Sequence, residues 1–376
     1  MNILFILQYY KIGGVQTVTH VLSNKFVQEG HNCNILTLTP SKGEEIHPIL
    51  NSRIGVSVID SHTLSTKEAI IQLRNFLIDK NVDVIINQSG HLFRTTALIK
   101  NASKDLKIKI ISVLHNTPSF GLKFSYKHNI TGKLKYYKNI LKLAYSYRKV
   151  YKNSDLYILL SESIISEFEK ISRLEDLKKI RVISNPITIA NEDFIYNFER
   201  KEKQIIFVGR LEYTQKRIER ILNVWGKIQS EYKDWELIIV GDGPDMSRLK
   251  NITKNKNIQS VKFVGFQNPK SFYEKASILL LTSDYEGFPL TITESMSFGV
   301  IPIVYGSYSA VYDIISDNYS GMISKPNNGF DEEDFTNKLK TLLSSVTKRK
   351  EFTLNALNDS RKFSLNNIYE KWERIL

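Results

Sequence analysis

Residues 277–304 read SILLLTSDYEGFPLTITESMSFGVIPIV. The run ILLLT is an apolar stretch of strand length, and VIPIV is another. Between them lie a turn holding Gly287 and Pro289 and a segment through Glu294, Met296 and Phe298 that reads as a helix ending at Gly299. Strand, helix and strand in this order predict a parallel βαβ unit. The same alternation extends outward. QIIFVG, WELIIVG, VKFVG and GMISK read as further strands of this half. NILFIL (Asn2 to Leu7), CNILTLT, VSVID, VDVIIN, KIKIISVLH, LYILLS and RVIS do so in the other half. Two α/β sandwiches are therefore expected.

Length and composition agree. The chain has 376 residues, enough for two or three domains. Hydrophobic residues make up 42% and charged residues 24%, which excludes a disordered, collagen-like or multispan membrane chain. Cys33 is the one cysteine, so no internal disulfide and no cysteine-rich metal cluster is possible. The stretch 190–203 (ANEDFIYNFERKEK) lacks apolar periodicity and reads as a linker. Domains are expected at 1–195 and 196–358, with a final segment, 359–376. There Ser364 would cap a helix whose Leu365, Ile368, Trp372 and Ile375 share one face. A helix that short must dock on something. The N-terminus has no basic region or cleavage site of a signal peptide, and no apolar run reaches membrane-spanning length. A cytoplasmic location is expected.

Lys and Arg total 52 against 39 Asp and Glu, a net charge of +13, which favours anionic partners. The candidate chemistry sits at strand ends, where open α/β sheets bind ligands. Glu286 and Glu294 flank the turn Gly287, Phe288, Pro289, Leu290. Carboxylates accept well from vicinal hydroxyls, and a helix N-terminus favours an anion. Two solvated surface acids are the plain alternative. Arg210 and Lys216 lie in IIFVGRLEYTQKR after a strand, suited to a diphosphate or simply solvated. Gly13 and Gly14 form the first strand-to-helix turn, but no G-x-G-x-x-G fingerprint accompanies them. Gly241–Pro244 (GDGP) makes a similar turn. His115 ends a strand, either as a hydrogen-bond donor to a ligand or as a structural histidine.

Lys123–Lys152 contains nine Lys or Arg side chains and six tyrosines, with no Asp or Glu. Such a mixture suits the headgroup zone of an anionic membrane, or a nucleic acid, or the solvated face of a core helix. No Walker motif, hydrolase elbow, H-E-x-x-H or Asp-x-Asp occurs. A bound diphosphate must then be neutralised by protein cations and helix N-termini.

VGRL…K, GDGP, EGFPLTITES, GVIPIV and the final Ser-x-x-x-Ile pattern, in this order, resemble the retaining glycosyltransferases of family 4 (group 1). The resemblance is motif-specific over 204–327 and organisational over nearly the whole chain. It implies a GT-B fold, two Rossmann-like domains facing each other across a cleft, with the last helix returning to the first domain. It implies a metal-independent hexosyltransferase without cofactor. The partners would be a nucleotide-diphosphate sugar and a glycan or lipid-linked acceptor, in bacterial surface polysaccharide or glycolipid synthesis, and no nucleic acid. Arg210 and Lys216 would hold the donor diphosphate, Glu294 the ribose and Glu286 the sugar hydroxyls. Gly13, Gly14 and the Gly287–Leu290 turn would line the donor. Ser309–Val311 would offer it backbone amides, and His115 would stand near the transferred sugar. The basic stretch would meet the inner face of the cell membrane. Gln16 departs from the pattern, since many members carry Glu there. A nucleotide-sugar epimerase and a non-catalytic partner protein are the competing readings.

Overall fold

In the computed structural model, residues 1–10, 13–40, 50–120, 122, 130–189, 191 and 193–376 are described. The chain divides into two units, Met1–Thr188 with Leu365–Leu376, and Ile189–Ser364. The divisions fall after Thr188 and Ser364, seven residues before and six residues after the boundaries that the sequence predicts.

The first unit runs β1 (Asn2–Leu7), α1 (Gly14–Gln28), β2 (Asn32–Thr37), β3 (Gly55–Val58), α2 (Thr66–Asp79), β4 (Val84–Asn87), α3 (Phe93–Ala102), β5 (Lys109–Leu114), α4 (Ile130–Asn153), β6 (Leu156–Leu159), α5 (Ile164–Ser172) and β7 (Ile180–Val182). Its sheet is ordered β3-β2-β1-β4-β5-β6-β7, and every pairing is parallel. Ile3 to Leu7 are all buried, as a central parallel strand covered on both faces requires.

The second unit runs β8 (Gln204–Val208), α6 (Ile218–Ile228), β9 (Glu236–Val240), α7 (Met246–Asn255), β10 (Val261–Gly265), α8 (Lys270–Lys275), β11 (Ile278–Leu281), α9 (Leu290–Ser297), β12 (Ile301–Tyr305), α10 (Val311–Ile314), β13 (Met322–Ser324), α11 (Glu332–Ser344) and α12 (Val346–Ser360). Its order, β10-β9-β8-β11-β12-β13, repeats the pattern of the first six strands of unit one. Both are the 3-2-1-4-5-6 order of the doubly wound fold. The order reverses between β1 and β4 in one unit and between β8 and β11 in the other. In folds of this order, ligands bind where the loops leaving those two strands diverge.

The final helix, α13 (Leu365–Glu373), belongs to the first unit. Tyr369 and Trp372 meet Phe26 of α1 at ring-centroid distances of 5.5 and 6.4 Å. Ile368 is fully buried beside them. The stretch read as a linker is packed instead: Phe194 lies 4.9 Å from Phe298, and Asn191 donates to Ser297 O. Gly299 has no room for a side chain against the Tyr196 ring. Single aromatics spaced without a period anchor this segment, and periodicity cannot reveal them. Ala190 and Glu192 lie outside the described residues.

Candidate functional site

In the second unit the loops leaving β8 and β11 flank the switch point, and both carry predicted residues. Gly209 (φ +150°) follows β8 and turns the chain into Arg210. Gly241 of GDGP faces it so closely that a Cβ would lie 1.9 Å from Gly209 O. Leu211 N donates to Asp242 O at 2.9 Å, and Asp245 N to Leu211 O at 3.2 Å. GDGP is thus a clamp on the Arg210 loop, and glycine is required because backbone meets backbone. Arg210 itself is 70% exposed, with Glu212 3.7 Å away.

Lys216 behaves differently. Its ammonium lies 2.5 Å from Glu286 Oε1, with side chains only 15% and 10% exposed. The neighbouring Gln215 amide donates to Glu286 Oε2 at 3.1 Å and to Tyr285 O at 3.2 Å. Asp284 locks the same junction, paired with Arg217 at 3.1 Å and Arg220 at 2.6 Å. Lys216, on the loop leaving β8, is thus joined to Glu286 on the loop leaving β11. Burial and the carboxylates of Glu212, Glu286 and Asp284 push the Tyr285 phenol up to about 12.

Gly287, Phe288 and Pro289 form the turn into α9, with Pro289 at the N-cap and no side-chain cap. That leaves backbone N–H groups of the first turn unpaired within the helix. The Phe288 ring turns inward, 5.4 Å from Phe363, so this residue offers its backbone rather than its side chain. Glu294 is the fifth residue of α9 and is buried. Its Oε2 accepts a 3.1 Å hydrogen bond from Tyr273, fully buried on α8. Burial and this carboxylate raise the Tyr273 phenol well above its ordinary value.

The sequence reading missed three hydroxyls. Ser283, Thr291 and Tyr308 have buried side-chain oxygens without a hydrogen-bond partner. They follow β11, open α9 and follow β12, respectively. Ser307 Oγ donates to Ser283 O at 2.6 Å and ties the β12 loop to the β11 loop. Ala310 caps the short α10, so Ser309–Val311 lie at the same strand end. Unpaired buried hydroxyls beside a carboxylate–ammonium pair suit a ligand rich in hydroxyls.

In the first unit Gly13 is the N-cap of α1 and has extended backbone, with no side-chain cap. The helix N-terminus is thereby left open at the carboxyl end of β1, with Gly14 as its first residue. Gln16 donates to Tyr9 O at 3.0 Å, a bond that a glutamate carboxylate cannot make. His115 Nε2 lies 2.5 Å from Gln88 Oε1, just beyond the ends of β5 and β4. Burial, with His91 nearby, pushes its imidazole down to about 3. It is neutral at physiological pH and serves as a hydrogen-bonding group, not a proton reservoir. Cys33 is buried and its thiol is pushed up to about 12, so it is no nucleophile. Among the described residues no cluster of three His, Cys, Asp or Glu is placed to hold a metal ion. None of the described helices is long and apolar enough to cross a membrane.

Comparison with known proteins agrees with the fold. Residues 188–359 match the family model of glycosyl transferases group 1, and residues 12–191 match that of glycosyltransferase family 4. An uncharacterized glycosyltransferase of Haemophilus influenzae is 26% identical over 99% of this chain and 98% of its own. GalNAc-alpha-(1->4)-GalNAc-alpha-(1->3)-diNAcBac-PP-undecaprenol alpha-1,4-N-acetyl-D-galactosaminyltransferase of Campylobacter jejuni is 30% identical, over 57% of this chain and 59% of its own length. The structure of HepE from Anabaena, solved with UDP and glucose, superposes with a TM-score of 0.77 at 15% identity, covering 100% and 99% of the two chains. With two parallel α/β units of matching strand order, the chain belongs to the group 1, family 4-like glycosyltransferases of the GT-B fold.

Proposed function

We propose that this protein transfers a hexosyl residue, with retention at the anomeric carbon, from a nucleotide-diphosphate sugar to a glycan or lipid-linked acceptor in surface polysaccharide or glycolipid synthesis. The observation that carries the reading is the buried Lys216–Glu286 pair at the β8/β11 switch point, with the exposed Arg210 on the same β8 loop. In this reading Arg210, Lys216 and the open N-terminus of α9 stabilise the charge that grows on the departing diphosphate. No metal is needed, because protein cations do this work. Glu294 holds the ribose, and Glu286 orients the sugar hydroxyls. The transition state is oxocarbenium-like. The acceptor attacks on the face the diphosphate leaves, and the leaving phosphate oxygen takes the acceptor's proton. A neutral His115 donates or accepts a hydrogen bond near the sugar. The Campylobacter relative's undecaprenol-linked substrate and the net charge of +13 support an acceptor carried on an anionic membrane, at its cytoplasmic face.

The test is a turnover assay over a panel of nucleotide sugars, with and without EDTA, followed by NMR of the anomeric proton of the product. Retained configuration, unchanged by EDTA, is expected. An inverted product overturns the mechanism. Donor isomerisation without any acceptor points to an epimerase.

A further inference from the structure

The turn that follows β4 is held from four elements. Asn87, the last residue of the strand, is fully buried. Its amide donates to Thr96 Oγ1 and to Ser112 Oγ, each at 3.1 Å, and its Oδ1 accepts from Ser89 N at 3.0 Å. Gly90 N donates to Val113 O at 3.0 Å, and a side chain on Gly90 would collide with that same oxygen. The Tyr157 hydroxyl donates to Gly90 O. Gln88 N donates to Ile6 O at 2.9 Å, and Gln88 is buried. These bonds tie the turn to β1, α3, β5 and β6. The Gln88 side chain therefore leaves a rigid backbone.

At the end of that side chain, Gln88 Oε1 lies 2.5 Å from His115 Nε2. No described residue bonds the other ring nitrogen, Nδ1, and His115 keeps partial exposure. The ring is neutral, because burial and the neighbouring His91 of the same turn disfavour the imidazolium. A neutral imidazole carries a single N–H, and an amide oxygen only accepts. The contact with Gln88 therefore places that N–H on Nε2. Nδ1 is left with a lone pair and can only accept. An amide is also the partner that keeps the ring neutral, since a carboxylate in its place would favour the imidazolium.

We infer that Gln88 is a positioning residue that fixes His115 as its Nε2–H tautomer and so makes Nδ1 an acceptor for a hydroxyl of the bound substrate. The inference deepens the transfer reading above and rests on it for the identity of that substrate. It also settles the direction of the hydrogen bond. A sugar hydroxyl both donates and accepts, and this ring takes only its proton side. A substrate with a methyl ether or a fluorine at that position has no proton to offer and loses the bond. A glutamine that merely filled space would serve equally with its amide turned over. Its Nε2 would then donate to His115 Nε2, and the tautomer would reverse.

The test is heteronuclear NMR of the full chain carrying isotope-labelled histidine, near neutral pH, with the His115 signals identified by their loss in His115→Gln. The wild type is expected to hold the proton on Nε2. Gln88→Leu, of similar size, is expected to give a mixture of both tautomers. Gln88→Glu is expected to keep the proton on Nε2 and to raise the pH at which the ring titrates. The wild-type and Gln88→Glu spectra decide the tautomer even where Gln88→Leu does not fold. Turnover of a nucleotide sugar supplies the second readout. Gln88→Leu is expected to lower kcat/KM at least ~10-fold, and to add less than ~2-fold to the loss caused by His115→Gln, because the two side chains act as one unit. Activity of Gln88→Glu is expected to recover as rising pH removes the added proton, and that of Gln88→Leu is not. A proton on Nδ1 in the wild type, or losses that multiply in the double variant, overturns the inference. If the wild type transfers no sugar while its Nε2–H tautomer depends on Gln88, the transfer reading fails and the tautomer assignment stands.

Discussion

The Lys216 ammonium sits 2.5 Å from the Glu286 carboxylate, although 70 positions separate them in the chain, and both are largely withdrawn from water. A buried ion pair contributes little net stability, yet breaking one partner leaves an uncompensated charge. Lys216→Ala is therefore expected to cost about 3 kcal/mol of stability as well as activity. Glu286→Gln keeps the size and a neutral acceptor. It is expected to stay folded and to lose at least ~100-fold in kcat/KM. Thermal unfolding together with steady-state kinetics on both variants checks this. Near-native turnover in Glu286→Gln would remove this carboxylate from the site.

Arg210 makes the opposite case. Its side chain is mostly in solvent, and its nearest acid, Glu212, is 3.7 Å away. Arg210→Ala is expected to change Tm little, since exposed substitutions stay within ~0.5 kcal/mol. The thermal shift given by a bound nucleotide-diphosphate sugar should shrink strongly. A shift equal to that of wild type, measured with the panel used for turnover, would place the diphosphate elsewhere.

His115 predicts a pH dependence with a definite sign. Its folded-state value is about 3, below the ordinary 6.5. Between those values the unfolded chain binds a proton that the native protein does not. Stability is fully present above pH 6.5 and falls as the pH drops towards 3, by at most about 1.4 kcal/mol per pH unit from this group. His115→Gln should flatten that part of the curve. His91, also shifted down by burial, adds in the same direction and remains in the variant. Denaturant unfolding at several pH values from about 4 to about 7 is the check. An unchanged slope would mean that the imidazole takes up its proton in the folded state.

Most of the architecture is legible because central parallel strands are buried on both faces and read as unbroken apolar runs, NILFIL and ILLL among them. The strand-end loops follow from that alternation, so Arg210, Lys216, Glu286 and Glu294 stand out. Which side chains meet does not follow. The Lys216–Glu286 and Tyr273–Glu294 contacts join segments that only the strand order brings together. The GDGP clamp depends on backbone approach between two loops, and a lone glycine pair does not reveal it. The stretch 191–203 escaped because aromatic anchors such as Phe194 leave no period. Within the basic stretch 123–152 the helical spacing is legible and forms α4 from Ile130, while Lys123, Tyr126 and Lys127 lie outside the described residues.

Tyr308 gives a prediction in which stability and function move in opposite directions. Its side chain is buried, 5% exposed, and its hydroxyl has no hydrogen-bond partner. Burial and the Glu286 carboxylate hold the phenol well above its ordinary value, so the proton stays on and is available to donate. Leaving a buried hydroxyl unpaired costs roughly 1–3 kcal/mol, and removing it relieves that cost. Tyr308→Phe retains the ring and is expected to raise Tm in the free protein. If the hydroxyl pairs with the donor sugar, the same change should lower kcat/KM for the donor. The gain in Tm should also shrink when donor is bound, because the wild type then satisfies its hydroxyl. Thermal unfolding with and without donor, for wild type and variant, separates the two effects. A variant that is more stable, equally active and equally stabilised by donor would assign Tyr308 to packing alone.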